Sequence, residues 1–258
     1  MKIEPTYSQF GQGDKLAVVM SPVMTHWDHG EFFAPLTEYL TSQHYRVVVY
    51  DSLSLLSDRD CDLSAFAERW LPHLEALGPI DLLAGSALGG ALVQTLLDTP
   101  LAQHVNAALL ISAPTVADQV LDQRLGAMAA LARAGKLKAA SDLLECYVMP
   151  AAPATTQSLQ VGAGVSGPDL PCIRLDKGFG LLQRLDVHES LSRFDKPVLS
   201  VVGECSQLVR AEHVQIGPRP THRLLEIRGG GMRPLVDAPE AVIQALQGMI
   251  ETCEEGVQ

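Results

Sequence analysis

Residues 80–91 read Ile-Asp-Leu-Leu-Ala-Gly-Ser-Ala-Leu-Gly-Gly-Ala. An apolar run passes through glycines into a helical pattern, the outline of a G-x-S-x-G turn, in which a strained strand-to-helix bend presents a nucleophilic serine. Only one frame has glycine on both sides, Gly85-Ser86-Ala87-Leu88-Gly89, and it puts Ala87 where the nucleophile would stand. Alanine has no lone pair with which to attack an acyl carbon. A frame centred on Ser86 puts Ala84 and Leu88 at the two positions that must be small for the turn to close, and leucine suits that poorly. Ser86 is therefore read as a turn residue beside the site.

The densest other chemistry is His26-Trp27-Asp28-His29. It follows the first strongly apolar run, at the carboxyl edge where ligands bind in open α/β sheets. His26 and Asp28 are candidates for acid–base work, and Trp27 for ligand contact or for packing beneath a cap. No further ligand spacing accompanies them, so no metal and no cofactor are expected. Asp51, at the end of Tyr45-Arg-Val-Val-Val-Tyr50, either orients a pocket residue or caps the following turn. Cys205 lacks any neighbour in sequence that would depress its pKa and is read as a passive thiol. His188 and His213 are read as solvated or capping residues.

Six short β-rich runs position these groups, starting at Leu16, Tyr45, Ile80, Ala107, Pro197 and His222. They are apolar nearly throughout, as strands covered on both faces are. Helical patterns lie between them at roughly 31–43, 63–76, 88–98 and 238–251. The alternation implies a doubly wound, mostly parallel α/β sheet in a single domain. A long gap breaks the rhythm: 116–147 has helical spacing, and 150–171 is rich in Pro, Gly, Ala and Ser. The whole of 116–190 is read as a helical cap inserted over one edge of the sheet.

Of 258 residues, 47% are hydrophobic and 19% charged, and the net charge is −11, so nucleic acid and anionic membranes are not expected partners. No apolar run approaches the roughly 18 residues of a spanning helix. The amino-terminal residues have no apolar core of the kind a secretory signal needs. Five scattered cysteines without C-x-x-C spacing are read as reduced thiols, and a cytoplasmic location is expected.

From about Asp14 to Ile250 the chain resembles the α/β-hydrolase superfamily, in particular small bacterial esterases and thioesterases with a short helical cap. The resemblance rests on LAVVMSPVMTHWDH, YRVVVYDSLSLLSD, GSALGGALVQ, DVHESLSRFDKPVLSVVGECSQLV and GGGMRPLVDAPEAV, in that order. It implies a triad with the serine at Ala87, the acid at Ser206 and the histidine at Gly231, and all three positions are replaced. The HG of the family's oxyanion loop is Ser21-Pro22 here, and the glycine-rich turn after Asp51 is Ser52-Leu-Ser-Leu-Leu. The resemblance also implies that backbone amides around Val23 and Met24, with that of Leu88 at a helix N-terminus, still face the cleft.

The expectation is thus a catalytically degenerate α/β-hydrolase-like protein. It would bind a small acyl, carboxylate or carbonyl ligand through Val23, Met24, His26, Trp27, Ser86, Ala87 and Leu88. Two alternatives stand beside it. One is a lyase, cyclase or isomerase that reuses the pocket with His26, Asp28 or Asp51. The other is an interaction subunit that recognises an acyl group bound to an acyl carrier protein.

Overall fold

The structure, a computed structural model, describes residues 4–57, 62–151 and 169–255. Its centre is a seven-stranded sheet of β1 (Tyr7–Phe10), β2 (Lys15–Met20), β3 (Tyr45–Tyr50), β4 (Leu82–Ser86), β5 (Ala108–Ile111), β6 (Val198–Gly203) and β7 (His222–Ile227). The spatial order is β1-β3-β2-β4-β5-β6-β7. All neighbours pair in parallel except β1, which runs antiparallel to β3. Every residue of β4, β5 and β6 is buried, which is why these segments read as unbroken apolar runs rather than alternating ones. The six expected strands are β2 to β7. The short, half-exposed β1, Tyr-Ser-Gln-Phe, carries no apolar run and was missed.

Helix α1 (Ala34–Ser42) and the carboxyl-terminal α8 (Pro239–Glu255) supply one covering layer. There Phe33, Leu36, Leu40, Val242 and Leu246 pack against one side of the strands. Helices α2 (Leu63–Glu75) and α3 (Leu88–Leu97) cover the other side, through residues such as Trp70, Leu92 and Leu96. A short helix, α7 (Pro234–Asp237), precedes α8. The fold is that of the α/β hydrolases. Because β3 and β4 flank β2 on opposite sides, the chain reverses direction across the sheet between β2 and β4. A crevice forms at such a switch point, beyond the carboxyl ends of the strands.

Helices α4 (Gln119–Arg133), α5 (Leu137–Val148) and α6 (Leu170–Gly180) lie between β5 and β6. Their excursion leaves and rejoins the sheet at one place. Val116 and Asp186 form an antiparallel bridge, the Ala117 amide donates to the Leu185 carbonyl at 2.8 Å, and the Val187 amide donates to the Thr115 carbonyl at 2.9 Å. Asp118 and Asp169 accept from the Leu121 and Cys172 amides and so start α4 and α6. The expected loop at 150–171 falls mostly outside the described residues.

Candidate functional site

The turn between β4 and α3 is built as the glycine spacing requires. Ala87 alone between the two elements takes a positive φ, at φ 47° and ψ −112°. A non-glycine residue in such a region costs on the order of 1–3 kcal/mol, which the surroundings must hold in place. They do so by close approach: a Cβ on Gly85 would lie 2.4 Å from the Gly89 carbonyl oxygen, and one on Gly89 would lie 2.1 Å from that of Met20. The Ala87 amide is fixed on the Ile111 carbonyl at 2.9 Å. Ser86 is the last residue of the strand and is buried. The frame is therefore Gly85 to Gly89 with Ala87 at its apex.

A cavity of about 200 Å³ opens over this turn. Its floor includes Ser86 and Ala87, and one wall is Pro22, Val23 and Met24 from the loop after β2. The cap closes it with Leu121, Leu125, Leu144, Val148, Phe179 and Leu182. Leu208 and Val209 after β6, and Met232 and Arg233 after β7, complete it. Among the described lining residues the only ionisable side chains are Glu145 and Arg233, and none is a histidine.

Four residues expected to touch a ligand, Val23, Met24, Ser86 and Ala87, line this cavity. Three others do not. Leu88 is wholly buried at the start of α3. The His26 side chain is exposed and bonded to the Thr25 hydroxyl at 3.2 Å. Trp27 packs with the cluster under α1 and α8 and is not among the residues that line the cavity. Asp28 accepts from the Gly30 and Phe32 amides, both at 2.8 Å, which makes it the cap of the short turn leading into α1.

Asp51 is buried and faces Arg174, a residue that sequence reading did not single out. Arg174 donates to both carboxylate oxygens of Asp51, at 2.8 and 2.9 Å, and its Nε donates to the Met24 carbonyl at 2.8 Å. Asp51 also accepts from the Leu53 amide and so caps the turn that follows β3, while its other partner, Arg174, does not line the cavity. The two departures from the family's loops meet beside it, since the Ser52 amide donates to the Ser21 hydroxyl at 3.0 Å.

Ser206 and Gly231 lie next to the wall rather than on it. The Ser206 hydroxyl accepts from the Leu208 amide at 3.4 Å. A Cβ on Gly231 would meet the Val148 carbonyl oxygen at 2.7 Å and the Pro150 nitrogen at 2.8 Å, so a side chain there has no room. From this loop Met232 and Arg233 line the cavity, and the Met232 sulfur accepts from the Val209 amide at 3.2 Å.

Away from the cavity, Asp118, Glu212 and His213 bring their ligand atoms within 4.8 Å of one another. The cation in their midst is Arg210, whose guanidinium contacts Asp118 at 3.3 Å and Glu212 at 2.5 Å. The Arg210 amide donates to His213 Nδ1, which puts the ring proton on Nε2, 3.2 Å from Asp118. With Nδ1 engaged and Nε2 near Asp118 but without a hydrogen bond among the described residues, the group reads as an ion-pair cluster at the base of the cap.

No family profile and no curated protein match the chain. Solved structures do. MGS-M2, an α/β hydrolase enzyme from a Medee basin deep-sea metagenome library, superposes with a TM-score of 0.75 at 13% identity, over 96% of this chain and 94% of that one. A hydrolase from Pseudomonas aeruginosa PA01 gives 0.73 at 19% identity, over 95% and 93%. A thermophilic esterase from Thermogutta terrifontis gives 0.67 at 16%, over 96% and 93%.

Proposed function

We propose that this chain of α/β-hydrolase fold binds a small, largely apolar acyl or carboxylate compound over the β4–α3 turn without hydrolysing it. The observation that carries this reading is the cavity itself, with Ala87 in its floor and no histidine among its described lining residues. Acyl transfer through an enzyme nucleophile needs that nucleophile and a base within hydrogen-bond reach of it. Ser86 offers a hydroxyl but has neither the apex of the turn nor a base beside it on this wall. The acid–base alternative is weakened by placement, because His26, Asp28 and Asp51 are not part of the wall. A purely partner-docking protein would have its cleft packed shut, whereas the described residues leave a cavity of about 200 Å³.

At about 30 Å³ per water-sized group, the cavity accommodates roughly seven heavy atoms. Burying a chain of about seven methylenes stabilises a complex by about 5–6 kcal/mol, at about 0.8 kcal/mol each. Association costs at least about 4 kcal/mol, so tail burial alone supports only weak binding. The test is a thermal-shift titration with octanamide, with product analysis of a parallel incubation with methyl hexanoate. A saturable rise in melting temperature with no hexanoate formed supports the reading. Hydrolysis, or no shift, contradicts it.

A further inference from the structure

We propose that Arg233 is a carboxylate-recognition residue at the mouth of this cavity, so that the ligand is a medium-chain amphiphile held tail inward and acid outward. This deepens the reading above and rests on it. The polarity of the wall is graded. Ser86 and Val209 are buried and Ala87 is half-buried, while of the charged pair Arg233 is partly exposed and Glu145 exposed. Arg233 Nη2 donates to Glu145 Oε1 at 2.6 Å, joining the loop after β7 to cap helix α5 across the opening.

The two partners are not equivalent. The Arg233 side chain is 32% exposed and that of Glu145 is 63% exposed. Arg233 stands on an anchored loop: the Met232 amide before it donates to the Val148 carbonyl, the Gly231 amide donates to Asp237, and its own carbonyl accepts from the Val236 and Asp237 amides. Glu145 projects from the outer turn of α5. The arginine is the fixed half of the pair, and the glutamate is the half that a second carboxylate replaces. Both of its side-chain contacts, to Glu145 and to the Met149 sulfur, run through Nη2. A guanidinium has five donors in a fork that matches a carboxylate in a two-point bond. A cationic head group would instead have to pair with Glu145 and leave the less exposed Arg233 without a counter-charge, which is the costlier exchange.

The experiment is calorimetric titration of octanoate and of octanamide, its neutral counterpart, into the wild-type protein, Arg233→Gln and Glu145→Gln. Octanoate is expected to bind the wild type about tenfold more tightly than octanamide, the worth of a partly exposed charge-assisted pair. Arg233→Gln removes that advantage and leaves octanamide within about twofold. Glu145→Gln tightens octanoate by roughly threefold, since it withdraws the competing carboxylate. Equal binding of acid and amide by the wild type overturns the head-group assignment and leaves the cavity reading standing. So does an equal loss of both in Arg233→Gln. Binding of neither compound overturns both.

Discussion

Arg174 reaches from cap helix α6 to the end of β3 and closes both terminal nitrogens on the Asp51 carboxylate, while its Nε holds the Met24 carbonyl. Three segments that are distant in sequence are thereby tied by one buried guanidinium: the cap, the loop after β2, which lines the cavity, and the turn after β3. The side chains are only 9% and 5% exposed, so neither charge has water to fall back on.

Arg174→Met is expected to destabilise the protein by about 3–5 kcal/mol, because it leaves a buried carboxylate unpaired. Asp51→Asn combined with Arg174→Met should cost clearly less than the sum of the two single changes. Urea unfolding of the four proteins measures this coupling. Additive effects would show that the pair is not the link between cap and core.

Turnover is expected to be absent in the unmodified protein. Mixed with p-nitrophenyl acyl esters it should release no p-nitrophenolate above the buffer rate, and a fluorophosphonate probe should not label Ser86. Stoichiometric labelling there would mean that the strand-end serine is activated by a group not on this wall.

Rebuilding the chemistry depends on choosing the right position after β7. Gly231→Ala should cost about 1–3 kcal/mol, since its Cβ is forced against the Val148 and Pro150 backbone. Ala87→Ser alone should remain inactive, because an unassisted hydroxyl is a weak nucleophile. Ala87→Ser with Ser206→Asp and Met232→His is expected to hydrolyse p-nitrophenyl hexanoate measurably. The same set with Gly231→His in place of Met232→His should not. Equal rates from the two sets would contradict the placement of Met232.

How much of this was legible beforehand varies by element. The strands β2 to β6 announced themselves because burial on both faces leaves mostly apolar residues to use, while the partly exposed edge strand β7 kept only a short apolar run; the turn at Ala87 was legible because Gly85 and Gly89 approach backbone atoms too closely for any side chain. Arg174 gave no signal: its partner lies 123 positions away in the chain, and an arginine in a cap helix looks like a surface residue. Glu145 and Arg233 were invisible for the same reason. The packing of Trp27 against the α1 and α8 layer was not legible, because sequence shows that a loop leaves a strand end but not to which side of the sheet it folds. The crowding at Gly231 was equally invisible, because three successive glycines give no sign of the Val148 and Pro150 backbone packed against the last of them.

Stability should also depend on pH through His222. Burial pushes its imidazole below the ordinary value; Nε2 pairs with the Lys196 carbonyl at 3.1 Å, and Nδ1 is buried with no partner among the described residues. The unfolded chain takes up a proton near pH ~6.5 and the folded one resists it, so this contribution is full above that pH and is lost as pH falls. His188 acts in the opposite sense. Its hydrogen bond to Asp186 raises its pKa, so the stability it adds is lost as pH rises, but it is exposed and its contribution is screened. Urea midpoints from pH 7.5 to 5.5 should fall less steeply in His222→Gln than in the parent. Parallel slopes would rule His222 out as a source of acid sensitivity.

The most direct test of binding without turnover is one calorimetric titration with methyl hexanoate, repeated on Leu121→Trp, which fills the cavity from α4. The expected result is a saturable binding heat that returns to baseline after every injection in the parent protein and disappears in Leu121→Trp, with the variant still folded by circular dichroism. A sustained heat proportional to enzyme concentration, the signature of continuing hydrolysis, would contradict it, and so would a binding heat that Leu121→Trp leaves unchanged.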